Sequence, residues 1–252
     1  MCGIAGYVGR SLVDPKQREE VLTDMMDMII HRGPNSAGQF IDDMAALGFR
    51  RLSIIDLEGG SQPIYNETRD KVITFNGEIY NFPALKKELI KAGHRFTTKA
   101  DTEVIIHGYE EWGADVVKKL RGMFSFVIYD TKTKEVFGAR DHFGIKPFYY
   151  SLLDNGDFLY GSEIKSFLPY PAFERKLNKK ALKPFLFFQY SGMDEETFFE
   201  GVYKLPEGHY FTLKDGKMEI VKFWDMEFQE GKESLDQIVD QIDEAVGEAI
   251  NA

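Results

Sequence analysis

The chain has 252 residues, 43% apolar and 14% aromatic, enough for one domain with a full core and a short appendage. Its net charge of −10 argues against a nucleic-acid partner, because neutralising phosphates takes a basic face. No apolar run reaches the roughly 18 residues of a membrane span, and the opening residues lack the basic leader and apolar length of a signal peptide, so no membrane partner is expected.

Cys2 is the one cysteine, which excludes an internal disulfide and fits a reducing, cytoplasmic setting. A lone cysteine is ordinarily a small buried hydrophobe. At position 2, however, removal of Met1 gives one residue both a thiol and a free α-amine. That amine, with an ordinary pKa of about 7.7–8.0, is partly neutral near pH 7. A thiol beside its own base is an activated nucleophile without a histidine. The five histidines (His31, His94, His107, His142, His209) are scattered and read as surface or satisfied core residues.

Residues 3–9 then read as a glycine-rich strand. Val21, Leu22, Met25, Met26 and Ile29 fall on one face of a helix that stops at His31-Arg32-Gly33-Pro34, the methionines serving as core filler. Strands follow at 38–41, 44–55 and 71–75, the last ending at the turn-like pair Asn76-Gly77. Helices are expected at 83–92, closed by Gly93, and from about Asp101 onward, with Val104, Ile105, Gly108, Tyr109 and Trp112 on one side. Short aromatic-rich strands at 123–129, 135–140, 147–151 and 158–162 precede a helix at 179–189, kinked or started late by Pro184. Strands at 203–205, 209–213 and 217–224 close the series, the last two joined at Lys214-Asp215-Gly216.

Antiparallel hairpins with segregated helices make the class α+β rather than a doubly wound parallel sheet. Neither GxGxxG nor GxxxxGK[ST] occurs, so no nucleotide is held by those means. The loops at Gly59-Gly60-Ser61 and Ser191-Gly192 are not phosphate cradles. After residue 228 the character changes. Ser234 and Gln237 form a capping-box pattern, and Leu235, Ile238, Val239, Ile242, Ala245, Val246, Ala249 and Ile250 make an apolar stripe. The expected division is a domain over 1–228, then a linker and helix over 229–252. That helix either docks on the domain or opens a second one; the second reading is preferred.

Several motifs in order carry a resemblance: Cys2-Gly3-Ile4, His31-Arg32-Gly33-Pro34, Arg51-Leu52-Ser53-Ile54-Ile55-Asp56, Asn76-Gly77-Glu78-Ile79-Tyr80-Asn81, Arg121-Gly122-Met123-Phe124, Arg140 to Pro147, and Leu205-Pro206-Glu207-Gly208. Together they resemble the class II glutamine amidotransferase domain of glutamine-hydrolysing asparagine synthetases, over about nine-tenths of the chain. The resemblance implies an N-terminal-nucleophile fold, a four-layer αββα sandwich of two mostly antiparallel sheets. It implies that Cys2 attacks the carboxamide of L-glutamine and forms a γ-glutamyl thioester. It assigns the Asn76 side-chain amide and the Gly77 N–H to the oxyanion hole, a place for aimed donors, and a glycine there suits close backbone approach. Arg51 matches the clamp on the substrate's α-carboxylate, where a guanidinium gives a bidentate contact. Glu78 and Asp101 match the acceptors of its α-ammonium, and Leu52 and Ile54 match backbone contacts. Arg50 adjoins Arg51 and points to the opposite face of a strand; the Arg-Leu-Ser-Ile alignment selects Arg51. Asp101 is also placed to cap a helix.

Related glucosamine-phosphate and purine-pathway enzymes carry His-Thr-Arg-Trp or His-Thr-Arg-Tyr where this chain has Phe49-Arg50-Arg51-Leu52, which favours the asparagine synthetase branch. Asn35 stands where the family usually has Asp, outside the assigned roles. The Ser-Gly-Gly-x-Asp-Ser loop of the ATP-dependent synthetase half is absent. Hence no cofactor is expected here, with ATP and magnesium belonging to a missing C-terminal synthetase domain in cis. Three alternatives stay open: a Cys-first amidase acting on acyl amides such as bile-salt conjugates, a non-catalytic glutamine-binding module that keeps Met1, and a domain serving a carboxylate acceptor other than aspartate. The oligomeric state is also open, a homodimer included.

Overall fold

The computed structural model describes residues 2–52, 60–189, 195–228 and 230–250. The chain begins with β1 (Gly3–Val8), α1 (Pro15–Asp27), β2 (Ser36–Ile41), β3 (Ala45–Arg51), β4 (Ile64–Tyr65) and β5 (Lys71–Ile79). Helices α2 (Phe82–Ala92), α3 (Thr102–Trp112) and α4 (Val116–Lys119) lead into β6 (Gly122–Asp130), β7 (Val136–Arg140), β8 (Tyr149–Leu152) and β9 (Phe158–Gly161). Then come α5 (Lys179–Phe188), β10 (Tyr203–Lys204), β11 (His209–Lys214), β12 (Lys217–Lys222) and α6 (Leu235–Ile250). The strands form two six-stranded sheets in the orders β10-β8-β9-β1-β3-β2 and β12-β11-β7-β6-β5-β4. Every pairing between these strands is antiparallel.

The period-two pleat sorts each strand between two cores. In β1, Ile4 and Val8 enter the core between the sheets, together with Leu47, Phe49, Val127, Tyr129 and Phe211. Ala5 and Tyr7 face the other way, onto Leu22, Met25 and Met26 of α1. In β5, Val72 points between the sheets, whereas Ile73, Phe75 and Ile79 pack on Leu85 and Leu89 of α2 and on Val104 and Ile105 of α3. The result is helix, sheet, sheet, helix, the four-layer α+β sandwich expected. The methionines of α1 are core filler, and Gly48 is the hollow beneath Met26: a Cβ there would lie 2.5 Å from its sulfur.

Boundaries differ from the pattern in two informative places. Asn76-Gly77 does not end a strand; β5 runs through it to Ile79, paired with β6 from Lys71↔Asp130 to Ile79↔Gly122. Pairing along the whole of β6 overrides local turn chemistry. The strand expected at 44–55 is observed as Ala45–Arg51, and residues 53–59 lie outside the described residues. Helix α5 continues through Pro184, started by the Asn178 side chain, which accepts from the Lys180 N–H at 3.1 Å. In α6, Ser234 and Gln237 form the reciprocal capping box, with the Ser234 N–H donating to Gln237 Oε1 at 2.9 Å. None of the residues of α6 is buried.

Candidate active site

The pleat that builds the core also assembles the site. Cys2 continues the even-numbered side of β1 and packs against the core between the sheets. In β3, Phe49 is on that inner side, so Arg51, two residues on, is too. Arg50 goes outward, donating from Nε to the Met26 carbonyl at 3.2 Å and pairing with Asp27 of α1. The adjacent arginines therefore divide as strand alternation requires, with Arg51 inward. In β5, Asn76 and Glu78 share parity with the inward Val72. Cys2, Arg51, Leu52, Asn76, Gly77, Glu78 and Asp101 all line one cleft of about 530 Å³. Ile54 lies outside the described residues.

The nucleophile candidate is fixed from both sides. Arg32 Nε donates to the Cys2 carbonyl at 3.1 Å and its Nη1 pairs with Glu163 at 3.2 Å. This gives the His-Arg-Gly-Pro motif a physical task. The Leu52 N–H donates to Cys2 Sγ at 3.4 Å, and the thiol faces the Leu52 carbonyl at 3.7 Å. The Leu52 backbone thus holds the thiol itself. Asn35 donates its backbone N–H to the Arg51 carbonyl at 3.0 Å, a contact that an aspartate would keep. No histidine is among the residues lining the cleft.

The donors opposite come from a gap in a hydrogen-bond ladder. Odd-numbered residues of β5 turn their backbone groups away from β6. At Phe75 the Gln62 side chain substitutes for a neighbouring strand, accepting from Phe75 N–H at 2.6 Å and donating to its carbonyl at 3.0 Å. At Ile79 the N–H donates to Asp101 Oδ2 at 2.8 Å. Gly77 lies midway, so alternation turns its N–H to the same edge, into the cleft. A Cβ at Gly77 would lie 2.2 Å from the Met123 carbonyl, so only glycine lets β5 and β6 approach here. Beside it Asn76 is 2% exposed, and its Nδ2 has no hydrogen-bond partner among the described residues. A buried, unpaired amide costs free energy unless something completes it.

The other part of the cleft is charged. Burial is the main reason the Asp101 carboxyl is pushed up to about 6, with nearby Glu78 adding to the rise. Glu78 is likewise raised by burial, and Lys146 opposes this. Asp101 does not cap α3 with its side chain; the Ile79 N–H takes that carboxylate instead. Two carboxyls that resist ionising beside each other make a receptor for a cation.

Residues 1–224 match the protein family described as "Glutamine amidotransferase domain". The chain belongs to that family. It is 37% identical to asparagine synthetase [glutamine-hydrolyzing] 1 of Bacillus subtilis over 253 residues, covering 100% of this chain and 40% of that protein. It is 35% identical to amidase chry2 of Gibberella zeae, covering 99% of this chain and 39% of that protein. The chain spans about two-fifths of the length of the curated relatives it matches. Among solved structures, glutamine phosphoribosylpyrophosphate amidotransferase from B. subtilis superposes with a TM-score of 0.64 at 18% identity, covering 88% of this chain and 49% of that one. That likeness carries the fold.

This glutamine amidotransferase domain also has cleft residues that sequence reasoning did not single out: Gln62, Tyr80, Lys99 and Lys146. Lys146 was within reach, since it belongs to the motif from Arg140 to Pro147. The structure shows what that motif does. The buried Asp141 carboxylate accepts from four backbone N–H groups, those of Phe124, Phe143, Ile145 and Lys146, at 2.9–3.1 Å. Arg140 ties the carbonyls of Gly144, Lys146 and Leu205 at 2.7–2.8 Å. Gly144 supplies the turn at φ +62°. The product is a rigid loop delivering Lys146, 5% exposed, to the cleft. Burial pulls its pKa down, while Asp141, Cys2 and Glu78 act to raise it. Gln62 had no local signal, because its role depends on Phe75, thirteen residues away.

Proposed function

We propose that this domain is a glutaminase in which Cys2, as the mature N-terminal residue, attacks the side-chain amide of L-glutamine. The α-amine takes the thiol proton as sulfur adds to the carboxamide carbon. The oxyanion forms at the Asn76 Nδ2 and Gly77 N–H donors. Collapse expels ammonia with a proton returned from the α-amine and leaves a γ-glutamyl thioester; water then attacks, giving glutamate and the free thiol. The observation that carries this reading is the buried, unpaired Asn76 amide next to the open Gly77 N–H, across one cleft from the thiol. Donors fixed where charge develops need no reorganisation.

The head group of glutamine fits the rest of the cleft. Arg51 clamps the α-carboxylate, and Glu78 and Asp101 take the α-ammonium, which relieves the like-charge crowding between them. Leu52, through its backbone contact with the thiol, and Ile54 complete the substrate side. This charge set disfavours acyl amides that lack an amino-acid head. No cofactor enters these steps.

In the longer protein, the ammonia is passed to an ATP- and magnesium-dependent synthetase domain in cis that amidates aspartate, as the names of the relatives suggest. Residues 229–252 serve as linker and first helix of that domain. The exposed stripe of Ile238, Val239, Ile242 and Val246 supports this, because it lacks cover on the sandwich. The test uses the chain with Met1 removed, confirmed by intact mass. It should release glutamate and ammonia from glutamine, and give no asparagine when ATP and aspartate are added. Retained Met1 or Cys2→Ala should abolish release; persistent release from either overturns the mechanism.

A further inference from the structure

Outside the glutamine cleft, four side chains converge from three separate segments. Glu67 stands on the turn between β4 and β5, His94 follows α2, and His107 and Glu110 lie one turn apart on α3. One ligand-capable atom from each lies within 4.8 Å of all the others. None of the four lines the cleft. We propose that they form a structural site for a divalent transition metal of zinc's chemistry.

The spacings are those of neighbouring ligands on one ion. His94 Nδ1 is 3.1 Å from Glu67 Oε1, and His107 Nδ1 is 3.2 Å from Glu67 Oε2 and 3.5 Å from Glu110 Oε2. Four bonds of about 2.0–2.1 Å in a tetrahedron put adjacent donor atoms about 3.3 Å apart. All four atoms lie within 4.8 Å of one another, so the widest gap closes to that spacing with a movement of at most about 1–1.5 Å. Two imidazoles and two carboxylates form a mixed donor set that suits zinc better than calcium or magnesium.

The surroundings hold the donors in place. Asn66 Nδ2 donates to Glu110 Oε1 at 2.7 Å, and the Arg95 N–H donates to Glu67 Oε1 at 2.9 Å. Glu111 stands 3.6 Å from His94 Nε2, the position of a carboxylate behind a metal-bound imidazole. His107 is 1% exposed, and its Nε2 has no hydrogen-bond partner among the described residues. The ligand atom is Nδ1, which faces both glutamates; Nε2 lies on the far side of the ring and stays unpaired with the ion bound. A dication also neutralises the two ligand carboxylates and draws the turn, α2 and α3 together.

The experiment titrates zinc chloride into the untagged, chelator-treated chain carrying Cys2→Ala, which removes the competing thiol. Calorimetry gives stoichiometry and affinity, and thermal melts report stabilisation. One equivalent should bind and raise Tm. His94→Gln and Glu110→Gln, each verified as folded by far-UV circular dichroism, should weaken binding at least about 100-fold, the upper end of what loss of a supporting partner costs. His209→Gln should bind as the parent does. Absence of stoichiometric binding, or binding undiminished in both ligand variants, overturns the site and leaves the glutaminase reading untouched.

Discussion

At the scale of single residues, the site sets two groups at a cost in stability. Asn76 Nδ2 is buried with no hydrogen-bond partner among the described residues, so truncation removes the proposed oxyanion donor while relieving the free fold of an unsatisfied group. Asn76→Ala should lower kcat for glutamate release about 10²–10³-fold with little change in KM. Asp101 behaves similarly. Its carboxyl is raised to about 6, so the folded protein holds a proton there that the unfolded chain releases near its ordinary 3.8. That favours the fold at low pH and is lost as pH rises through about 6. In the proposed binding mode the ammonium of glutamine needs the ionised form, so KM should rise as pH falls below about 6, approaching tenfold per unit. Asp101→Asn should flatten that dependence, raise KM at pH 7.5, and increase Tm at pH 8. Initial rates across pH 5–8 and melts at pH 8 check both halves.

Among the elements, β5 carries most of the burden. Its odd residues hold α2 and α3, its even residues reach the inter-sheet space, and its outer edge presents one N–H. Gly77→Ala would drive a methyl into the Met123 carbonyl, 2.2 Å away. Overpacking against backbone should cost about 3 kcal/mol, seen as a fall in Tm of about 6–10 °C. The helices and strands were mostly legible because their apolar residues keep a period. That Arg50 and Arg51 face opposite ways was legible as well, since a pleat has only two faces. The choice of Arg51 came from its motif, however, and the parity of Glu78 was out of reach with the strand expected to end at Phe75. The extension of β5 past Asn76-Gly77 was not, because nearest-neighbour chemistry there says turn and only β6 says otherwise. Gln62 and the Asp141 nest were illegible for the same reason: each bonds to backbone groups whose proximity the fold creates.

For the whole molecule, no residue of α6 is buried, so the sandwich is expected to keep its stability without that helix. Deleting residues 230–252 should leave the Tm of the sandwich unchanged while reducing helical signal by circular dichroism; a lowered Tm would show α6 docked. The sheet edge raises a different whole-molecule question. A six-stranded sheet whose last strand, β4, is two residues long leaves much of β5 uncovered, and an uncovered edge invites another chain to add itself. Gln62 and Asp101 occupy the rungs on either side of Gly77, so a foreign strand finds no run of consecutive open positions to zip onto. The opening that remains admits a single carbonyl oxygen and excludes a β-strand, so the same two side chains that leave the Gly77 N–H open also guard the protein against edge-to-edge aggregation.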